Sequence, residues 1–229
     1  MAIIQTAAAS SGSAIVDPTF QAIRYSDRPP EILGAYQIAA VSGALGGVAS
    51  GGAVFSWRWN PSVATNLCMI RRVEVGFATT TAFTAAQSVQ YSMTIARAFT
   101  SNDTGGTSLS LAQANTGKMR TSMPASAFTS TGNIQIGTTG ALTAVARTLD
   151  SFPIGFAATA GPAAAAIPTF MPITPIYQHL TGDYPLILAN NEGFIISNII
   201  AMGAAGVINL TVNVEWMELS ATSGSAISY

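Results

Sequence analysis

Charge is what this sequence has least of. Only 8% of its 229 residues are Asp, Glu, Lys or Arg, where an ordinary soluble domain carries about a quarter. Nine basic residues against ten acidic ones leave a net charge of -1. There is thus no positive field to gather nucleic acid and no acidic tail to recruit a basic partner, and nucleic-acid binding is disfavoured. Lysine is nearly missing: Lys118 is the single one, and the other cations are arginines, the type suited to planar, bidentate pairing in partly dry contacts. A freely diffusing monomer ordinarily carries more surface charge than this.

Cysteine and histidine are as scarce. Cys68 stands alone, so an intrachain disulfide and a thiolate metal cluster are both excluded, and no metal-dependent folding is expected. Long apolar runs are missing too. The richest stretch, Gly193 to Leu210, is interrupted by Ser197, Asn198 and several small residues, and Gly155 to Ile167 is broken by Pro162 and bounded by Pro168. Neither supplies the ~20 apolar residues of a membrane helix. Met1-Ala2-Ile3-Ile4-Gln5 lacks a basic region followed by a long apolar one, so the chain is expected to be soluble, without a membrane partner and without a secretory leader.

Chemistry needs titratable groups brought together, and few are on offer. His179, in Ile176-Tyr177-Gln178-His179-Leu180, is the one histidine, and any Ser-His-Asp triad would have to use it. There is no G-x-S-x-G elbow, no H-E-x-x-H, no phosphate-binding G-x-x-x-x-G-K-[ST] and no dinucleotide fingerprint. The Gly-rich stretch Gly43 to Gly52 lacks the following Lys and helix of a phosphate cradle and reads as a flexible connection. Glu215 and Glu218, with Glu74 or Glu192 nearby, are the only candidates for a paired-carboxylate glycosidase. Three residues apart on a strand, Glu215 and Glu218 point to opposite faces. Cys68 has no histidine beside it to lower its pKa and reads as a small strand residue. The expectation is a non-enzyme with no cofactor and no metal.

What the chain does have is apolar content, 49% of residues with a mean hydropathy of +0.41, enough to offset chain entropy and to exclude intrinsic disorder. Residues 1–50 are rich in Ala, Ser and Gly, with Asp17-Pro18 and Arg28-Pro29-Pro30 resisting helix, and read as an extended arm and Gly-rich connection. Residues 51–229 read as the folded domain. Period-two alternation marks strands at Ala53 to Trp59, Leu67 to Phe77 with Arg71 as an exception, Val89 to Phe99 with Arg97 breaking the apolar side, and Val207 to Leu219. Shorter candidates are Ser108 to Ala112, Asn133 to Ile136 and Leu142 to Leu149. Leu186 to Ala189 and Phe194 to Ile200, joined by Asn190-Asn191-Glu192-Gly193, read as a hairpin. Residues 100–132 read as a projecting loop region, and Pro153, Pro162, Pro168, Pro172 and Pro175 mark a connection expected to be irregular. Thr81 to Gln87 has room for one helical turn. The fold expected is all-β, a jelly-roll-like antiparallel β-sandwich.

Two clusters have the composition of contact surfaces. Trp57-Arg58-Trp59 has the makings of a stacking platform for sugars, although its sharing a strand face with Phe55 favours core packing. Arg24, Tyr25, Arg28, Pro29 and Pro30 are the one charged and aromatic cluster of the arm, a composition enriched at protein interfaces.

The stretch Tyr184-Pro185-Leu186-Ile187-Leu188-Ala189-Asn190-Asn191-Glu192-Gly193-Phe194-Ile195-Ile196, followed by Val207 to Leu219 ending in Val214-Glu215-Trp216-Met217-Glu218, resembles the closing strands of tailed-bacteriophage virion structural proteins, among them jelly-roll capsid decoration (cement) proteins. The likeness covers roughly the last 45 residues, together with a general Ala/Thr/Ser/Gly style. It implies a virion structural protein on the capsid exterior, a homo-oligomer such as a trimer, with the major capsid protein as partner. It carries no catalytic residues. The alternative is a phage tail or fibre module that binds a host glycan through Trp57 or Trp59.

Overall fold

Strand β13 (Val207–Leu219) shows why this chain folds as it does. Ile208, Leu210, Val212, Val214 and Trp216 are buried, while Asn209, Thr211, Asn213 and Glu215 between them are half-buried. One face drives burial and the other lies against a wetter side. In the computed structural model, which describes residues 32–111, 117–128, 132–163, 169–180 and 183–220, this strand is preceded by twelve others. They are β1 (Ile32–Val41), β2 (Leu45–Gly46), β3 (Ala53–Arg58), β4 (Leu67–Thr81), β5 (Gln87–Arg97), β6 (Gly106–Ser108), β7 (Ile134–Gly137), β8 (Thr148–Leu149), β9 (Gly155–Gly161), β10 (Thr169–Gln178), β11 (Leu186–Leu188) and β12 (Gly193–Asn198). The described residues contain no helix and all fall within one unit, Glu31–Tyr229.

Two antiparallel sheets pack face to face. One runs β1-β13-β4-β10, with β2 also on β13 and β11 also on β4; the other runs β6-β7-β3-β12-β5, with β8 and β9 both on β5. Taking β1, β3, β4, β5, β9, β10, β12 and β13 as first to eighth, one sheet reads first, eighth, third, sixth and the other second, seventh, fourth, fifth. That order is the jelly roll, a pair of interleaved Greek keys. The core between the sheets holds Trp57, Trp59, Trp216, Tyr36, Phe55, Phe77, Tyr91 and Phe194 among aliphatic side chains of β4, β12 and β13.

The exception in the β4 alternation has a structural cause. Glu215 of β13 pairs with Arg72 and the next residue, Trp216, pairs with Ile70, so Arg71 is an extra residue. This is a β-bulge, and it flips the parity of the strand. Cys68 and Ile70 point into the core before it, Val73, Val75 and Phe77 after it.

Several expectations need correction. Ile32–Val41, placed in the arm, is a ten-residue strand paired along β13, because Gly34, Tyr36 and Ala40 bury one face while its far edge bonds to residues 117–119. Residues 1–31 of the arm lie outside the described residues. The loop region 100–132 does not project where it is described: Leu111 is buried and Phe128 packs against the core. The proline-punctuated connection contains two strands, β9 and β10, the second with register shifts between Met171 and Thr174 and between Pro175 and Tyr177. Pro172 falls inside the first of these shifts and Pro175 borders the second, on the last strand of the sheet, positions at which a missing N–H is tolerated. Leu186–Leu188 and Gly193–Asn198 are not a hairpin, since β11 pairs with β4 and β12 with β3 and β5, in opposite sheets. The turn between them, with Asn191 at φ 65, carries the chain across the sandwich. Between β4 and β5 there is no helical turn, and of Leu142 to Leu149 only Thr148–Leu149 is strand.

Candidate functional site

The most elaborate side-chain cluster lies at one end of the core. Trp57 meets Trp216 edge to face at 4.8 Å and stacks on Phe194 at 5.8 Å. Phe128 enters from the loop and sets its edge against Trp57 at 5.0 Å and Trp59 at 4.9 Å. Trp59 donates its indole N–H to the Asn66 carbonyl at 2.9 Å. Such edge-to-face pairs add to what area burial alone supplies. Both Trp57 and Trp59 are fully buried, so neither offers a ring face to a sugar.

Beneath this cluster sits a buried carboxylate. Glu218 accepts from the Ser126 hydroxyl at 2.5 Å, the Ala127 backbone N–H at 2.9 Å and the Trp216 indole N–H at 3.2 Å. Burial pushes its carboxyl above the ordinary range, against the pull of those three bonds. Burial and then the nearness of Glu218 raise the Tyr36 phenol and the Cys68 thiol as well. Cys68 is a buried free thiol, inert toward nucleophilic chemistry in that setting. The carboxylate pins residues 126–128 over the aromatic end of the core. Sequence reasoning missed this role, although Glu218 shares the inward parity of Leu210, Val212, Val214 and Trp216.

The other titratable candidates are scattered. Glu215 is on the outer face of β13, opposite to Glu218 as the spacing requires, and holds Arg72 at 2.7 Å. Glu74 approaches the same guanidinium at 3.2 Å and accepts from Asn213, which in turn accepts from Gln37. Glu74 and Glu215 are thus joined through a cation in a polar row across three strands. Glu192 pairs with Arg97, which also pairs with Asp150. The His179 ring meets the Asp183 carbonyl at 3.0 Å. Asp103 and Arg147, nearly or wholly buried, form an ion pair, and Ala53, Ala96, Phe99 and Ile195 make a small separate cluster under Val145. Among the described residues no three His, Cys, Asp or Glu side chains are grouped to hold a metal ion.

Arg24, Tyr25, Arg28, Pro29 and Pro30, the contact cluster read from the sequence, lie outside the described residues. A different surface stands out instead. Where β9 and β10 close one side of the sandwich, Phe152, Ile154, Phe156, Phe170 and Ile173 are exposed. Between Asp150 and Asp183 the chain has no Asp, Glu, Lys or Arg at all. The long period-two runs that marked the strands did not reveal this edge, since its segments are short and interrupted by proline.

No protein-family model matches the chain, and no curated protein matches it. The fold and the surfaces define the molecule as a jelly-roll sandwich with a filled aromatic core end and one uncharged, apolar edge.

Proposed function

We propose that this is a non-enzymatic structural protein of a virion, a capsid decoration protein that sits on the capsid exterior and stabilises the shell by binding major capsid subunits. The observation that carries the reading is the exposed apolar edge of β9 and β10, free of charged residues, on a domain whose composition is otherwise poor in charge. Large exposed apolar patches mark interaction sites, and jelly rolls recur in viral shells, in lectins and in cupins. The resemblance of roughly the last 45 residues to phage structural proteins supports the first of these. Burial of Trp57 and Trp59 removes the stacking platform that a glycan-binding tail module would have used.

The mechanism is surface burial multiplied over many copies: each contact is modest, and a shell engages them simultaneously. Particles from the native source that have been stripped of this protein should rupture at a lower temperature than intact ones, and adding the purified protein back should restore the difference. Stripped particles that neither bind the protein nor gain heat resistance from it would count against the reading.

A further inference from the structure

We infer that the β9/β10 edge is a self-association surface, and that its occupant is the same edge of a second copy of this chain. The two strands come from opposite sheets and run alongside each other. At one end Gly155 is seated so closely on Ile176 that an added Cβ would lie 1.9 Å from its carbonyl oxygen. At the other end Thr79, the register partner of Thr169 in β10, donates its hydroxyl to the Ala160 carbonyl at 3.3 Å. Phe156 therefore lies toward one end of the seam and Phe170 toward the other, with Ala158 and Ile173 between them.

Edge strands are usually guarded by lysine or other charges, because an open edge recruits other chains. Here the guard is missing. Pro172 and Pro175 withhold two N–H donors from β10, which turns the contact away from strand addition and toward side chains. Those side chains are large: Phe152 is 80% exposed, Phe156 64% and Phe170 71%. At roughly 200 Å² per aromatic side chain they leave about 400 Å² of apolar surface in water, within the ~300–600 Å² of a monomer's largest patch and about half of the ~800 Å² each partner contributes to a stable interface. Exposed Ile154, Ala158, Ile173 and Pro175 supply further area on the same seam.

The choice of a second copy follows from charge. In an isologous contact each residue faces its own image or a neighbour of it, so any charge in the patch meets its like. The two strands carry no charge of their own, and Glu74, opposite Pro175 on the neighbouring strand, is paired with Arg72, so like charges do not oppose the contact, and phenylalanine rings pair well with one another. This inference rests on the reading of the edge as an assembly surface; it assigns the edge to a second copy and leaves the capsid contact to another face of the domain, and its test uses the purified protein alone.

Sedimentation velocity of the full chain over a range of concentrations should show an oligomer. Phe156→Asp combined with Phe170→Asp should weaken association by about 100-fold or more, since charge is then forced into a dry contact. Val41→Asp, at an exposed position on β1 at the far edge of the first sheet, should leave association unchanged. Near-UV circular dichroism verifies folding, and Phe156→Ser with Phe170→Ser serves in place of the charged pair where that pair unfolds. A wild type that stays monomeric at every concentration, or an oligomer indifferent to the edge substitutions, overturns the inference. A monomer that still binds particles through this edge overturns it too while leaving the proposed function standing. An edge-dependent oligomer that binds no particle upholds the inference and counts against the proposed function.

Discussion

At Glu218 a single carboxylate ties a loop to a core tryptophan. Replacing it with alanine leaves the Ser126 hydroxyl, the Ala127 N–H and the Trp216 N–H without their acceptor, and should cost about 2–4 kcal/mol in a urea titration. The pH dependence has a definite sign. Burial holds the folded-state value above the unfolded one, so the folded protein retains a proton at pH values where the unfolded chain has released it. The stability this group contributes is complete below the unfolded value and is lost as pH rises through the folded one. Glu218→Gln keeps an acceptor oxygen and does not titrate. Its urea midpoint relative to wild type should therefore climb as pH rises through that window and level off above it; a difference independent of pH would contradict the shift. Much of this was readable at the residue scale. The inward parity of Glu218 and the break at Arg71 are both written in the alternation of β13 and β4. What parity cannot convey is the loop that meets Glu218, because Ser126 and Ala127 come from a segment whose own pattern carries no period.

Long, half-buried strands announce themselves and edge or crossing elements do not. Val207–Leu219 coincides with its sequence period because β13 is central, with one face on the core and the other on a polar row. The Leu186–Leu188 and Gly193–Asn198 pair misleads for a physical reason: in a jelly roll, consecutive strands commonly lie in opposite sheets, and a turn that crosses the sandwich looks in sequence like one that closes a hairpin. Proline misleads similarly, since β10 tolerates two of them by being last in its sheet and by shifting register beside each. The seam between β9 and β10 depends on a glycine no pattern marks. Gly155→Ala would place a methyl group onto the Ile176 carbonyl, and should destabilise the domain by about 2–3 kcal/mol through forced separation of the two strands. Thermal melting checks this, and a melting temperature unchanged by the substitution would mean that the seam is looser than described.

Taken as a whole, the molecule is a jelly roll whose missing charge has two different destinations. On the outer face of the first sheet Arg72, Glu74 and Glu215 are consumed by one another and by Asn213, and Arg71 lies on the Met217 sulfur. Along the β9/β10 edge there are none to consume, and phenylalanine faces solvent. The fold class was legible from alternation and length, because period-two patterning survives whatever a strand pairs with. The surface was not, because exposure of a phenylalanine depends on which sheet edge its strand comes to occupy, and edge position is decided by topology.

Where this chain resides decides between an assembly component and any other role, and electron microscopy of particles from its native source addresses that directly. The expected result is jelly-roll density on the capsid exterior, with neighbouring copies meeting through the β9/β10 edge. Density confined to the tail, or particles that lack the chain altogether, would contradict it.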